Sequence, residues 1–542
     1  VNDIQDQHNT VPSHEREVPL RRYALALTAI ALALGLTVEV LFHDHPMGVS
    51  VPLWAASCVA ALFGAAKLVG AKPAKTGFVI PILILFFALM AFVRQEPLTS
   101  FLNLTLTLAL FALWVRSFRE RLLFEYGWLD FGVALALTFL QSWIRPWPVL
   151  GSAGRKLFGE KRGRSRLAGV LRGLLLAIPV LVVFVALLRS ADLVFAGYVD
   201  AALGWLDLAR LGDWAGRAVV VITSGVFFLG ALAVALAEPS GRRLIGKDSP
   251  ILQPFLGVTE ALTVLGVVDA LFMVFVGLQV RYLFGGRANI TAAGFTYSEY
   301  ARRGFGELVG VGLLALALIL ALATCTKRPE RRQQRWFNGL SGALVGLVTV
   351  ILASAFMRLL LYEQAYGFTR LRTYTHVAIV WMGLLFIAFL GLLLANRLRR
   401  FAVAAVIGLL GFGATINVLN VDAFIVHHNM ARYAEQGQID LDYVLRLSDD
   451  AVPELVRLTL TAQPDIASEL LPLMACRQAI TQDRQQRLEW PSFHVSRAAA
   501  VAALERVQVA WQDFQVVERP SGRWEVLVDG YYEPCIVGDY VD

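Results

Sequence analysis

The sequence predicts an all-α polytopic transmembrane helix bundle carrying a small α+β extracytoplasmic domain at its C-terminus. Three observations lead there. The first is composition: of 542 residues, 57% are hydrophobic and only 17% charged, with a mean hydropathy of +0.60. Soluble domains carry about 25% charged residues. The second is arrangement: apolar runs long enough for the roughly 20 residues a helix needs to cross a bilayer alternate with short segments rich in Arg and Lys. The third is period. The ten-residue alternating segments of a β-barrel are absent, and a helix is the other way to satisfy the backbone inside lipid.

Residues 1–20 are polar and are expected to form a disordered cytoplasmic N-terminus. Arg21 and Arg22 precede a first span near 23–42, too long for a signal-peptide core and so read as a retained anchor. Further spans fall near 50–70, 78–94, 98–115, 168–188, 217–237, 252–280, 304–325, 337–361, 375–396 and 401–421. This divides the chain into N-terminal membrane helices (21–150), a basic loop (151–167), a main bundle (168–421) and a C-terminal domain (422–542).

Orientation follows from the cations, because cytoplasmic loops are enriched in Lys and Arg. Lys67, Lys72 and Lys75, then Arg116, Arg119 and Arg121, then the stretch from Arg155 to Arg166 all belong inside. So do Arg242, Arg243 and Lys247, Lys327 to Arg335, and Arg397, Arg399 and Arg400. Segment 126–150 is apolar yet basic on both flanks, contains Asp130, and ends in Trp143-Ile-Arg-Pro-Trp147-Pro. It reads as an interfacial or re-entrant helix, leaving about 11 crossings with the N-terminus cytoplasmic and the C-terminus outside. The alternative is a twelfth crossing and a cytoplasmic C-terminus. The net charge of +7 and pI near 9.3 are explained by these loops, so nucleic acid is not an expected partner. The bilayer is, and other membrane or envelope proteins are candidates.

The C-terminal segment reads as folded. Residues 440–460 have helical periodicity, with Asp449 or Asp450 near a cap and Pro453 just inside a second helix. Residues 497–512 suggest an amphipathic helix, and Phe514–Val517 and Trp524–Val528 a β-hairpin. Cys476 and Cys535 form a candidate disulfide if this domain faces an oxidising compartment. Cys58 and Cys325 lie in or beside apolar runs, where a buried thiol is the default.

Several stretches resemble a bacterial family of multi-pass membrane proteins known only as a domain of unknown function. They are Leu171–Pro179, Ser190–Phe195, Val258–Leu262, Tyr297–Leu308, Tyr362–Arg372 (Tyr-Glu-Gln-Ala-Tyr-Gly-Phe-Thr-Arg-Leu-Arg) and Asn420–Ala423. The resemblance covers most of 165–460. It implies the bacterial inner membrane and no particular reaction.

Candidate site residues fall into groups. Glu260, Thr263, Asp269 and Arg358 are polar positions inside spans, which are expensive and therefore informative. Glu260 and Asp269 point to opposite sides of one helix; a proton or cation relay competes with plain interhelical hydrogen bonding. On the outer side, Arg281, Arg302, Arg303, Arg370 and Arg372, with Glu363 and Tyr366, form a candidate anion site. The plainer reading is that these cations pair with acidic loop residues. His43, His45, His427 and His428 are weak metal candidates, and otherwise neither a metal nor a cofactor is expected. No catalytic motif is present. The sequence therefore favours a non-enzymatic sensor, scaffold or partner-binding subunit with an outer polar vestibule. A transporter of a small anion or lipid is the runner-up, and a membrane enzyme acting on a lipid-linked substrate is third.

Overall fold

Long apolar runs become long helices. The computed structural model describes residues 18–120, 122–158, 208–238, 254–283, 305–327, 330–461 and 463–535, with isolated positions between 184 and 197. The expected span at 168–188, most of segment 190–216, the side chain of Arg281, and Arg302 and Arg303 lie outside the described residues.

The first helices are α1 (Val18–Arg22), α2 (Ala24–Phe42), α3 (Ser50–Val69), α4 (Thr76–Val93) and α5 (Pro97–Ser117). Two shorter ones follow, α6 (Trp128–Ile144) and α7 (Pro146–Phe158), then α8 (Leu208–Leu236). After them come α9 (Val258–Leu283), α10 (Phe305–Cys325), α11 (Arg331–Tyr366), α12 (Arg370–Leu394) and α13 (Phe401–Leu419). Among the described residues, ten helices are long and apolar enough to cross a membrane. The protein is a polytopic membrane protein. At Val18–Leu20 the chain is helical, where the sequence suggested disorder, because Leu20 buries against the bundle.

The membrane helices share two cores. One joins α2–α5 with α7 and the end of α8; the other joins α9–α13. Helix α8, which the sequence groups with the main bundle, thus packs with the N-terminal helices. Its partner is α2, where Gly35 and Gly225 let the backbones approach: a Cβ at Gly35 would overlap the carbonyl oxygen of Val221.

The third core is the C-terminal domain. It comprises α14 (Val421–Gln436), α15 (Leu441–Leu445), α16 (Val452–Thr461), α17 (Pro464–Arg487) and α18 (Val495–Arg506). An antiparallel sheet follows, ordered β1 (Val516–Glu518), β2 (Trp524–Val528), β3 (Tyr531–Pro534). The hairpin was legible; the third strand and the 24-residue α17 were not. Val526 on β2 packs against Cys476 and Ile480 of α17. A disulfide joins Cys476 to Cys535, with Cα atoms 5.6 Å apart.

Hydrogen bonds sort the helix ends into two faces. On the first, Ala74 N donates to Phe118 O (2.8 Å), Arg119 to Leu236 O (2.8 Å) and Arg399 to Glu125 O (2.7 Å). This basic face gathers the ends of α3, α5, α8 and α12. The C-terminal domain sits on the other, against the α2–α3, α4–α5 and α11–α12 connections and the end of α13.

Candidate functional site

The domain face holds two polar constructions. The larger is the junction between bundle and domain. Glu96 caps α5 ahead of Pro97: Oε1 accepts from Leu98 N (2.9 Å) and Oε2 from Thr99 N (2.7 Å), so the carboxylate sits at the positive end of the helix. It also accepts from the hydroxyls of Tyr374 and Thr99. One residue earlier, Gln95 and Glu96 donate their backbone N–H groups to Asp450 Oδ2 (2.7 and 3.0 Å). Arg94 donates to Asn417 O (2.8 Å) and lies 3.9 Å from Asp450. Burial pushes the Asp450 carboxyl above the ordinary carboxylate range despite these donors.

Asp422 is the second anchor. Arg370 grips it bidentately at 2.8 and 2.7 Å, and Ser448 adds its N–H (2.9 Å) and hydroxyl (2.6 Å). The third is Arg477, 1% exposed, which donates to Asp449 (2.9 Å) and to the carbonyls of Leu445 and Leu447 (3.2 and 3.1 Å). Below the network, Asn103 and Asn417 exchange reciprocal amide hydrogen bonds of 2.9 and 2.7 Å between α5 and α13. His494 closes one edge, with Nε2 3.3 Å from Ala91 O. Burial first, then the Arg497 charge, holds its imidazole down to about 4.

The second construction is a cavity of about 530 Å³ between α11, α12, α13 and α14. Its walls are largely apolar: Phe356, Phe368, Trp381, Leu384 and Phe424. Trp381 donates to Thr415 (3.0 Å), and Thr373 and Thr415 donate to backbone carbonyls one turn back. Glu363 and His376 remain. They meet at 3.1 Å, Oε1 to Nδ1, and both line the cavity. Glu363 is 1% exposed, and neither its Oε2 nor His376 Nε2 has a partner among the described residues. The pair therefore offers an acceptor oxygen and a ring nitrogen that donates or accepts according to protonation. The Phe356 ring stands edge-on to the imidazole, centroids 4.6 Å apart. Among the described residues this cleft is apolar apart from one polar pair.

A tight connection brings the pair together. Gly367 ends α11 at φ +77°. A Cβ there would come within 2.7 Å of Asn429 Oδ1, and Asn429 clamps Phe368 through its N–H (2.7 Å) and carbonyl (3.0 Å). Glu363 thereby faces His376 across the helical hairpin.

The other candidates are dispersed. Arg370 is committed to Asp422. Arg372 stacks on Tyr362 (4.1 Å to the centroid) and donates to the carbonyls of Tyr366 and Gly367. The outer cations described here thus hold the fold, and Tyr366 is exposed. Glu260 is exposed and accepts from Gly257 N at the start of α9; Thr263 bonds back to Thr259 O (2.8 Å). Asp269 is buried, and neither carboxyl oxygen has a partner among the described residues. Ten residues on, Gln279 bonds the buried Ser354 of α11; Arg358, one turn further, is half-buried. His43 pairs with Asp44 (3.2 Å), His45 with Glu489 (3.7 Å), His427 with Arg457 (2.8 Å) and His428 with Phe424 O (2.9 Å). No three His, Cys, Asp or Glu side chains among the described residues converge as metal ligands.

Much of the junction lies within one family match. The profile of a family described as a domain of unknown function (DUF4153) matches residues 82–458. The chain belongs to this family. The DUF4153 region holds Arg94, Glu96, Glu363, Arg370, His376, Asp422 and Asp450, but ends before Arg477 and the disulfide. No curated protein and no solved structure matches the chain. Sequence reasoning noted Asn420–Ala423 and Asp449–Asp450 without assigning them to the junction; acidic residues at the first turns of helices that follow membrane spans were the available signal.

Proposed function

We propose that this protein is a sensor of the bacterial cytoplasmic membrane whose cleft beneath the C-terminal domain binds an amphipathic ligand. The observation carrying this reading is the buried Glu363–His376 pair, with two unpartnered polar atoms, lining an otherwise apolar cavity of about 530 Å³. The apolar walls suit a chain, and the pair suits a hydroxyl or amine head. The cleft also touches the junction, since Phe424 lies two residues from Asp422 and Thr373 beside Tyr374. A ligand there is placed to alter how the domain sits, which is what a sensor or partner-binding subunit requires.

The orientation belongs to the same proposal. The basic face suits the cytoplasm by the positive-inside rule, and the disulfide on the opposite side suits an oxidising compartment. Labelling intact cells with a membrane-impermeant thiol reagent, with and without reduction, tests this. Cys476 and Cys535 should label from outside only after reduction. Labelling that requires permeabilisation overturns the orientation.

The ligand is tested by thermal stability in nanodiscs against single-chain amines, alcohols and carboxylates of equal chain length. Amines and alcohols should raise Tm, and Glu363→Gln should abolish the amine response. Equal responses from wild type, Glu363→Gln and His376→Ala would sink the proposal. A second reading, transport, is favoured by Asp269, because an unpartnered carboxyl buried in a spanning helix suits a proton or ion site. Flux into liposomes that is lost in Asp269→Asn would favour it over sensing.

A further inference from the structure

A different cavity lies toward the basic face. Both ends of α6 are tied there: Asp130 accepts from Arg399 (2.6 Å) near its start, and Gln141 accepts from Arg116 (2.8 Å) near its end. Between them, Thr138 reaches Ala112 O of α5 (3.3 Å), and Ser142 presses on α8 so closely that a Cβ at Gly230 would overlap its carbonyl oxygen. Helix α6 therefore packs on both α5 and α8, with its start and its end each held by an arginine.

Under it is a cavity of about 330 Å³, walled by side chains such as Trp54, Leu62, Phe111 and Phe228. Its two hydroxyls, Thr138 and Ser142, both donate to carbonyls one turn back at 2.7 Å, so they hold no donor for a ligand. Apart from the Trp54 indole N–H, which has no partner among the described residues, and the Cys58 thiol, the chemistry available is that of hydrocarbon. One turn further along α6 and α8 the lining changes. Arg145, Arg21, Ala233 and Ala237 enclose a second cavity of about 30 Å³. Among the described residues no carboxylate pairs with Arg145, and α7 adds Arg155 and Lys156 on the same face.

An apolar slot with a guanidinium one turn beyond it is complementary to a chain carrying an anionic head. The geometry points to a bound anionic phospholipid, with an acyl chain beneath α6 and its phosphate at Arg145. The site is separate from the Glu363–His376 cleft, and either stands without the other.

Native mass spectrometry of the full chain, released from nanodiscs of phosphatidylglycerol or of phosphatidylcholine, tests it. Wild type should retain one phosphatidylglycerol in preference to phosphatidylcholine. Ala231→Trp, which fills the slot, should retain neither; Ala112→Leu, a smaller insertion, gives the same readout if the tryptophan variant does not fold. Arg145→Gln should keep the chain but weaken the headgroup preference by about fivefold, the effect of one cation. Inorganic phosphate added in excess should not displace the lipid. Equal retention of both lipids by wild type, or unchanged retention in a folded slot-filling variant, overturns the proposal.

Discussion

The junction and the α9–α11 seam both bury acidic side chains, with opposite outcomes. At the junction Glu96, Asp422, Asp449 and Asp450 are each met by backbone N–H groups, hydroxyls or guanidiniums. On α9, Asp269 is equally buried and has no hydrogen-bond partner among the described residues. A buried carboxylate is tolerable when its lone pairs are filled, and an unfilled one is far cheaper protonated. Partnering therefore separates the carboxyl groups that hold the architecture from one that, among the described residues, holds nothing.

The comparison breaks most readily at Arg477. Truncating it to Ala takes the guanidinium from the buried Asp449, and the C-terminal domain should lose about 3–5 kcal/mol. Limited proteolysis and thermal melting of the purified protein measure this. A change below about 1 kcal/mol would mean that water, rather than the guanidinium, balances Asp449. Next is the disulfide, whose cysteines are 59 residues apart. Cys476→Ser with Cys535→Ser should lower domain stability by about 2–4 kcal/mol, read as a Tm shift that reductant reproduces in wild type.

His494 gives a pH test of the same boundary. Its imidazole is held down to about 4 from the usual 6.5. Between those values the unfolded chain takes a proton that the folded one refuses. Stability should thus be full above pH 6.5 and decline as pH falls toward 4, by up to about 3 kcal/mol. Denaturant midpoints across that range should flatten in His494→Gln. The smallest effect belongs to Asp269. Because nothing bonds its carboxyl, Asp269→Asn should move Tm by the equivalent of under about 1 kcal/mol. A large loss would show the aspartate ionised and paired, and would erase the contrast.

The spans were legible because the bilayer imposes their length and composition; helix limits such as Ser50–Val69 and Phe401–Leu419 lie within a few residues of the apolar runs. The Cys476–Cys535 link and the β1–β2 hairpin were also readable, from compartment logic and period-two alternation. The junction was not. Glu96 and Asp450 are 354 positions apart, and nothing local distinguishes a carboxylate that caps a distant helix from one facing water. The same holds for Arg370, whose place in a basic pair suggested a free anion site until Asp422 occupied it. Glu363 was noticed, but its meeting with His376 depends on the left-handed turn at Gly367.

The junction also bears on biogenesis. Its ligands come from the α4–α5 connection, the start of α12, the end of α13 and the C-terminal domain, which emerge at widely separated moments of translation. They converge only if every intervening hairpin has inserted with the right sidedness. A single inverted helix pair would strand Arg370 or Glu96 on the wrong side, leaving the last-made domain without its seat and open to quality-control proteases. Docking of the domain thus depends on the topology of every preceding helix.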